Sequence, residues 1–230
     1  MRNNYNKRVQ GILAETRYQF KIVKPGGEIR WVLNSGAKFS WEGNPAVLSV
    51  LTDITERVYF EEQLTEISIR DPLTNLYNRR YMREHLEIMC AEFQRNKSPF
   101  TLILLDLDHF KRINDNFGHQ AGDFILIEFA KLILAELRPY DLACRYGGEE
   151  FMILCKATTR AGIRHRLTLL LEKVRDHQFE YNGATIKITA SAGLSDSLEF
   201  EQLNIEKFIE LSDQRLYKAK RNGRDRLELE

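Results

Sequence analysis

The stretch Arg145-Tyr146-Gly147-Gly148-Glu149-Glu150-Phe151 constrains this chain more than any other. Two glycines precede two acids and a strand-like Phe151-Met152-Ile153-Leu154. Gly-Gly suits a two-residue hairpin turn that needs positive φ. It also leaves no Cβ between the backbone and a ligand lying against it. A fold built around this stretch has an antiparallel hairpin with two carboxylates at its tip, where a phosphate-bound metal could sit. Taken alone, the pattern fits a solvent-exposed turn with two surface glutamates equally well.

Other segments fit the same site. Leu102-Ile103-Leu104-Leu105-Asp106-Leu107-Asp108 is an apolar run ending in acids, the pattern of a buried strand that carries carboxylates to a sheet edge. His109-Phe110-Lys111-Arg112-Ile113-Asn114 follows it, and then Gly118-His119-Gln120-Ala121-Gly122-Asp123. Asp71-Pro72-Leu73-Thr74-Asn75-Leu76 lies upstream; Ser191-Ala192-Gly193 and Asp213 to Arg224 lie downstream. In this order and spacing the segments resemble the GGDEF family of diguanylate cyclases, in its GGEEF variant, over about residues 71–230.

Composition sets the surrounding limits. A 230-residue chain with 43% hydrophobic residues can bury a core in one or two domains. A formal net charge of +1 implies no general polyanion-binding surface, so no nucleic-acid partner is expected and any phosphate affinity is local. Cys90, Cys144 and Cys155 are too few and too scattered for a disulfide framework or a zinc site, which suits a reducing cytoplasmic setting. No apolar run reaches membrane-spanning length. The resemblance implies a full-length parent that can stand behind a membrane-spanning sensor.

Residues 1–54 read as strands and turns. Tyr18 to Val23 and Ile29 to Leu33 alternate around Pro25-Gly26-Gly27, and Ala46 to Leu51 is a third strand candidate. The series, with Asp53-Ile54-Thr55-Glu56-Arg57, resembles the C-terminal part of a PAS domain whose pocket-walling helices are missing; a small independent hairpin module is the alternative. Residues 55–70 predict a linker helix on which Phe60, Leu64 and Ile67 form a short apolar stripe. The stripe is either the seam of a parallel coiled coil or a face packed on its own domain. From residue 71 the patterns predict helix 76–96, strand 100–106, helix 110–137, strand 141–146 and strand 149–155. Helix 160–177 follows with Leu167, Leu170, Leu171 and Val174 inward, then strands 179–181 and 184–194, helix 205–222 and a strand near 225–229. The expected class is α/β, an α+β sandwich with a mainly antiparallel sheet. The resemblance adds a palm-like sheet shared with nucleotide cyclases and polymerases.

The resemblance also assigns roles. It implies condensation of two GTP into cyclic di-GMP across a homodimer, with Mg²⁺ or Mn²⁺. Asp106 and Glu149 are then the principal metal ligands, with the Leu107 carbonyl and Glu150 assisting, and Glu149 is the group that takes the 3′-hydroxyl proton. Backbone N–H groups of His109, Phe110 and Lys111 hold phosphate, as do Gly147 and Gly148 at the hairpin, while Asn114 and Asp123 read guanine. Lys220 and Arg224, four apart, meet the terminal phosphates; from the residues alone they are better explained as a solvated cationic cap at a helix end. Asp108 is expected to brace the turn or a helix cap rather than bind metal. Arg138-Pro139-Tyr140-Asp141 matches the family's product-binding inhibitory site, with Arg175 as its second arginine. Asn75 and Asp225 depart from the family's usual Gly and Asn. The alternative is a catalytically silent module that binds GTP or cyclic di-GMP as a receptor; a PAS-type sensor or dimerisation module with an incidental cyclase is a third, and the amino-terminal segment is too short for it.

Overall fold

The computed structural model describes residues 17–230, so the first part of the expected PAS-like segment lies outside the described residues. The described chain falls into two compact units, divided between Ser68 and Ile69.

The first unit contains an antiparallel meander of β1 (Arg17–Val23), β2 (Ile29–Trp41) and β3 (Asn44–Asp53). Gly26 and Gly27 turn the first hairpin with φ of 108° and 87°. The second hairpin turns at Glu42 and Gly43, both at positive φ, as a type I′ turn requires. The sequence reading missed it, and β2 runs eight residues beyond the expected Leu33. Helix α1 (Thr55–Ile69) follows. None of its residues is buried, and Phe60, Leu64 and Ile67 are 60%, 66% and 74% exposed.

The second unit is built on a six-stranded sheet. Its strands are β4 (Tyr77–Asn78), β5 (Phe100–Leu107), β6 (Leu142–Gly147), β7 (Glu150–Lys156), β10 (Ala190–Asp196) and β11 (Leu227–Glu228). They lie in the order β11-β10-β5-β7-β6-β4, with a separate two-stranded ribbon of β8 (Phe179–Tyr181) and β9 (Ala184–Ile186). The four central strands pair antiparallel, and the two edge strands add in parallel. The period of two along β5 sorts the core. Ile103, Leu105 and Leu107 face α3 (Phe110–Phe117), α4 (His119–Glu136) and α5 (Arg160–Asp176). Leu102 and Leu104 face α2 (Arg79–Asn96) and α6 (Ile205–Arg221).

Three predicted elements need correction. Helix 76–96 begins only at Arg79, because Asn78 caps it by accepting from the Tyr81 N–H, and Tyr77–Asn78 pairs with β6 instead. Helix 110–137 is broken at Gly118, whose φ of 84° and ψ of 163° no helix allows. Strand 184–194 is interrupted at residues 187–189. The inward residues of α5 are as expected: Leu167, Leu170, Leu171 and Val174 are all buried. The three cysteines are free and buried, and burial pushes their thiols up, Cys144 and Cys155 to about 12.

Candidate active site

Two parallel facts bring the acids together. Asp106 continues the Leu102 and Leu104 face of β5 and stands in register with Glu150 on β7. The β6–β7 hairpin turns at Gly148 and Glu149, with positive φ only at Gly148. Gly147 is therefore the last residue of β6, opposite Glu150, and not a turn centre; an irregularity between Arg145 and Gly147 shifts the register there. The Leu107 N–H donates to the Glu149 carbonyl at 3.4 Å, tying the strand end to the turn.

Asp106 is 6% exposed. Burial raises its carboxyl from the usual 3.8 to about 6; the hydrogen bond and charge of Lys220 oppose the rise, and the charges of Glu149 and Glu150 add to it. Lys220 reaches it from the last turn of α6, Nζ to Oδ2 2.8 Å. Asp108 does not join this group. It is buried, and it accepts from Thr189 Oγ1 at 2.7 Å, Ser191 Oγ at 2.8 Å and the Asp225 N–H at 3.1 Å. It thus ties the end of β5 to β10 and to the segment after α6.

Arg145 opens the hairpin stretch without a role in the sequence reading, yet it braces the hairpin. Its Nε donates to the Gly148 carbonyl at 2.9 Å, and its Nη1 lies 3.5 Å from Asp71 Oδ1. Because the Gly148 carbonyl and the Glu149 N–H share one peptide plane, this bond orients the backbone that carries Glu149.

His109 precedes α3 at φ 58°, and the first turn of that helix leaves backbone N–H groups without intrahelical partners. Phe110 is buried, so only its backbone faces a ligand; Lys111 is exposed. Asn114 and Asp123 come from the facing helices α3 and α4. A Cβ on Gly122 would lie 2.0 Å from Asn114 Oδ1, so the missing side chain is what admits the Asn114 amide against α4, at the residue before Asp123. Arg224 follows α6 at φ 63°.

The expected inhibitory residues separate. Asp141 Oδ2 accepts from the Arg138 N–H at 3.1 Å and from Arg166 Nη1 at 3.0 Å. Arg175 is nine residues, roughly 13 Å, further along α5. It pairs with Asp225 at 2.5 Å, so Arg166 and not Arg175 is the arginine beside Asp141. Buried Arg166 Nε and Nη2 and Asp141 Oδ1 have no hydrogen-bond partner.

Among the described residues no three His, Cys, Asp or Glu side chains form a group able to hold a metal ion alone. The donor set nonetheless fits Mg²⁺, which takes oxygen ligands from one or two carboxylates and fills its shell with water and phosphate. No helix among the described residues is long and apolar enough to cross a membrane.

An antiparallel-centred sheet with helices on both faces and acids converging at one strand end defines a palm-like α+β domain. Residues 68–226 match the family described as Diguanylate cyclase, GGDEF domain, and the chain belongs to that family. It is 42% identical to diguanylate cyclase DgcP of Pseudomonas aeruginosa over 73% of this chain and 25% of that protein. It is 37% identical to a diguanylate cyclase of Vibrio cholerae over 78% of this chain and 55% of that one. The chain thus spans a quarter to about half of these relatives. The coiled coil and GGDEF domain of DgcB from Caulobacter crescentus, solved with c-di-GMP, superposes with a TM-score of 0.72. The two are 30% identical, over 76% of this chain and 93% of that one.

Proposed function

We propose that this chain condenses two GTP into cyclic di-GMP and two pyrophosphates. The observation that carries the reading is the meeting of Asp106, the Glu149-Glu150 hairpin and Lys220 at one sheet edge, in a chain of this family. Asp106 and Glu149, with the Leu107 carbonyl and Glu150, would hold Mg²⁺ or Mn²⁺, which when bound supplies charge neutralisation at the phosphates and activation of the 3′-hydroxyl. Lys220 and Arg224 bind the terminal phosphates, and backbone N–H groups at His109–Lys111 and the hairpin glycines orient them. Glu149 accepts the 3′-hydroxyl proton. Asn114 and Asp123 pair with the guanine edge.

Each GTP must present its hydroxyl to the other's α-phosphorus, which calls for two domains facing across a two-fold axis. The exposed Phe60, Leu64 and Ile67 of α1 supply an apolar stripe suited to a parallel helix pair, and residues 1–54 read as part of a PAS domain that adds to it. Specific activity should therefore rise with enzyme concentration. The unpartnered polar atoms of Arg166 and Asp141, beside Arg138, support product binding there. Incubation with GTP and Mg²⁺ should yield a product with the mass of cyclic di-GMP, and Glu149→Gln should remove most of it while the fold persists. Nucleotide binding without any product would instead favour the receptor reading.

A further inference from the structure

The segment after α6 has an unusual backbone. Gly223, Arg224 and Asp225 take φ of 109°, 63° and 51° in succession. Glycine adopts such angles freely, whereas Arg224 holds a left-handed conformation only where its surroundings impose it. Three contacts impose it here. The Arg224 N–H donates to the Ala219 carbonyl at 3.0 Å, and the Asp225 N–H to Asp108 Oδ2 at 3.1 Å. Arg175, in the last turn of α5, donates Nε to Asp225 Oδ2 at 2.5 Å.

Asp225 presents a carboxylate to this contact. A carboxylate, unlike an amide, forms an ion pair with Arg175. Its other oxygen is buried with no partner, so removing Arg175 leaves the whole carboxylate unpaired. Asp108, His109, Arg112, Arg175 and Lys187 line one cavity of about 510 Å³. Asp108 and Arg175, the two side chains that hold Asp225, thus line the same space as His109.

We propose that Arg175 and Asp225 form a clasp that positions Arg224 for the terminal phosphate of bound nucleotide. Arg175 is a positioning residue and touches no substrate. The inference rests on the reading of Arg224 given above.

The test uses the full chain, Arg175→Met, Asp225→Asn, the double variant, and Arg224→Ala as reference. Calorimetry gives affinities for GDP and for an α,β-methylene analogue of GTP, and hydrogen exchange reads the amides of residues 224 and 225. Arg175→Met should lower the preference for triphosphate over diphosphate by roughly three- to tenfold, the scale of one partly exposed ion pair amplified at a charged ligand. Both amides should exchange faster. Selectivity for guanine over adenine should not change, whereas general destabilisation would move both. Adding Asp225→Asn to Arg175→Met should lower the preference little further than Arg175→Met alone, because the ion pair is already broken. Unchanged exchange in Arg175→Met overturns the clasp, and faster exchange with an unchanged preference overturns its positioning role. If Arg224→Ala leaves the preference intact, the phosphate assignment fails, while the exchange result still decides the clasp without any turnover.

Discussion

Gly193 is the position where a single methyl group should do most damage. It lies on β10, under α6, and a Cβ there would stand 2.2 Å from both the Leu216 nitrogen and the Ser212 carbonyl oxygen. These are backbone atoms of a helix and cannot swing aside. Reaching ordinary contact at 3.4 Å requires α6 to retreat by roughly 1.2 Å. The seam it would open is closed by small residues and buried hydrogen bonds. Ser195 and Ser212 share a bond of 2.6 Å, Ser212 Oγ donates to the Leu102 carbonyl at 3.2 Å, and Arg215 Nη1 donates to the Leu194 carbonyl at 2.7 Å.

Overpacking of this kind costs about 1–3 kcal/mol, and each buried hydrogen bond lost adds about 1 kcal/mol. A total near 4 kcal/mol lowers Tm by about 8–16 °C for a unit of this size. The same retreat draws Lys220 Nζ from 2.8 Å to about 4 Å from Asp106, beyond hydrogen-bond range. A misplacement of about 1 Å costs on the order of 100-fold in rate. Both tryptophans, Trp31 and Trp41, precede residue 68, so indole fluorescence does not report on the catalytic unit. Calorimetry or far-ultraviolet circular dichroism should follow Gly193→Ala, with GTP turnover measured well below its Tm. A variant melting within about 2 °C of the parent and turning over within twofold would refute the argument that this glycine sets the distance between α6 and the sheet.

Asp106→Asn should remove turnover yet stabilise the metal-free protein. The folded-state carboxyl titrates near 6 against the ordinary 3.8. Its charge is therefore disfavoured by folding above about pH 6, and the penalty disappears as pH falls below about 4. The gain in Tm, worth on the order of 2 kcal/mol after allowance for solvent at the site edge, should be present at pH 7.5 and vanish toward pH 4 by scanning calorimetry. Gly122→Ala should leave Tm within a few degrees, because the Asn114 side chain can swing aside and Phe110 Cζ, at 3.1 Å, need give only a few tenths of an ångström. It should lower the preference for GTP over ATP about tenfold or more in competition binding, since a base edge then loses its partner. Arg138→Ala should turn over like the parent but resist added cyclic di-GMP, and Arg166→Met should do the same while Arg175→Met should not, as read by inhibition curves.

Much of this arrangement was legible in the sequence, for reasons tied to particular residues. The apolar run to Asp106 has the length and acidic end of a buried strand, and Gly148 reads as part of a turn. The β6–β7 hairpin follows from the turn, whereas the pairing of β5 with β7 rather than β6 does not. What was not legible depends on contacts between distant segments. Arg145 looks like any strand residue until its guanidinium is seen across the hairpin from Gly148 and Asp71. Ser195, Ser212 and Arg215 carry no hydrophobic signal, so the α6–β10 seam is silent in a periodicity reading. Arg166 and Arg175 share a helix, and only the fold tells which one meets Asp141. The long helix expected over 110–137 fails at Gly118 because the apolar spacing continues across the break.

The parity of β5 has a consequence for how the site can be dissected. Leu102, Leu104 and Asp106 share the face covered by α2 and α6, so the Asp106–Lys220 pair depends on the Gly193 seam. Asn114 and Asp123 stand on α3 and α4, which pack on the opposite face through Phe110, Ala121 and Ile125. Gly193 and Gly122 therefore act through different cores with no shared hydrogen bond. Perturbations of well-separated sites add in free energy, to within about 0.5 kcal/mol. In the Gly193→Ala/Gly122→Ala double variant the rate loss from the first and the specificity loss from the second should multiply. A double variant that loses no more specificity than Gly193→Ala alone would mean that base reading and phosphate placement are one unit, moved together by α6.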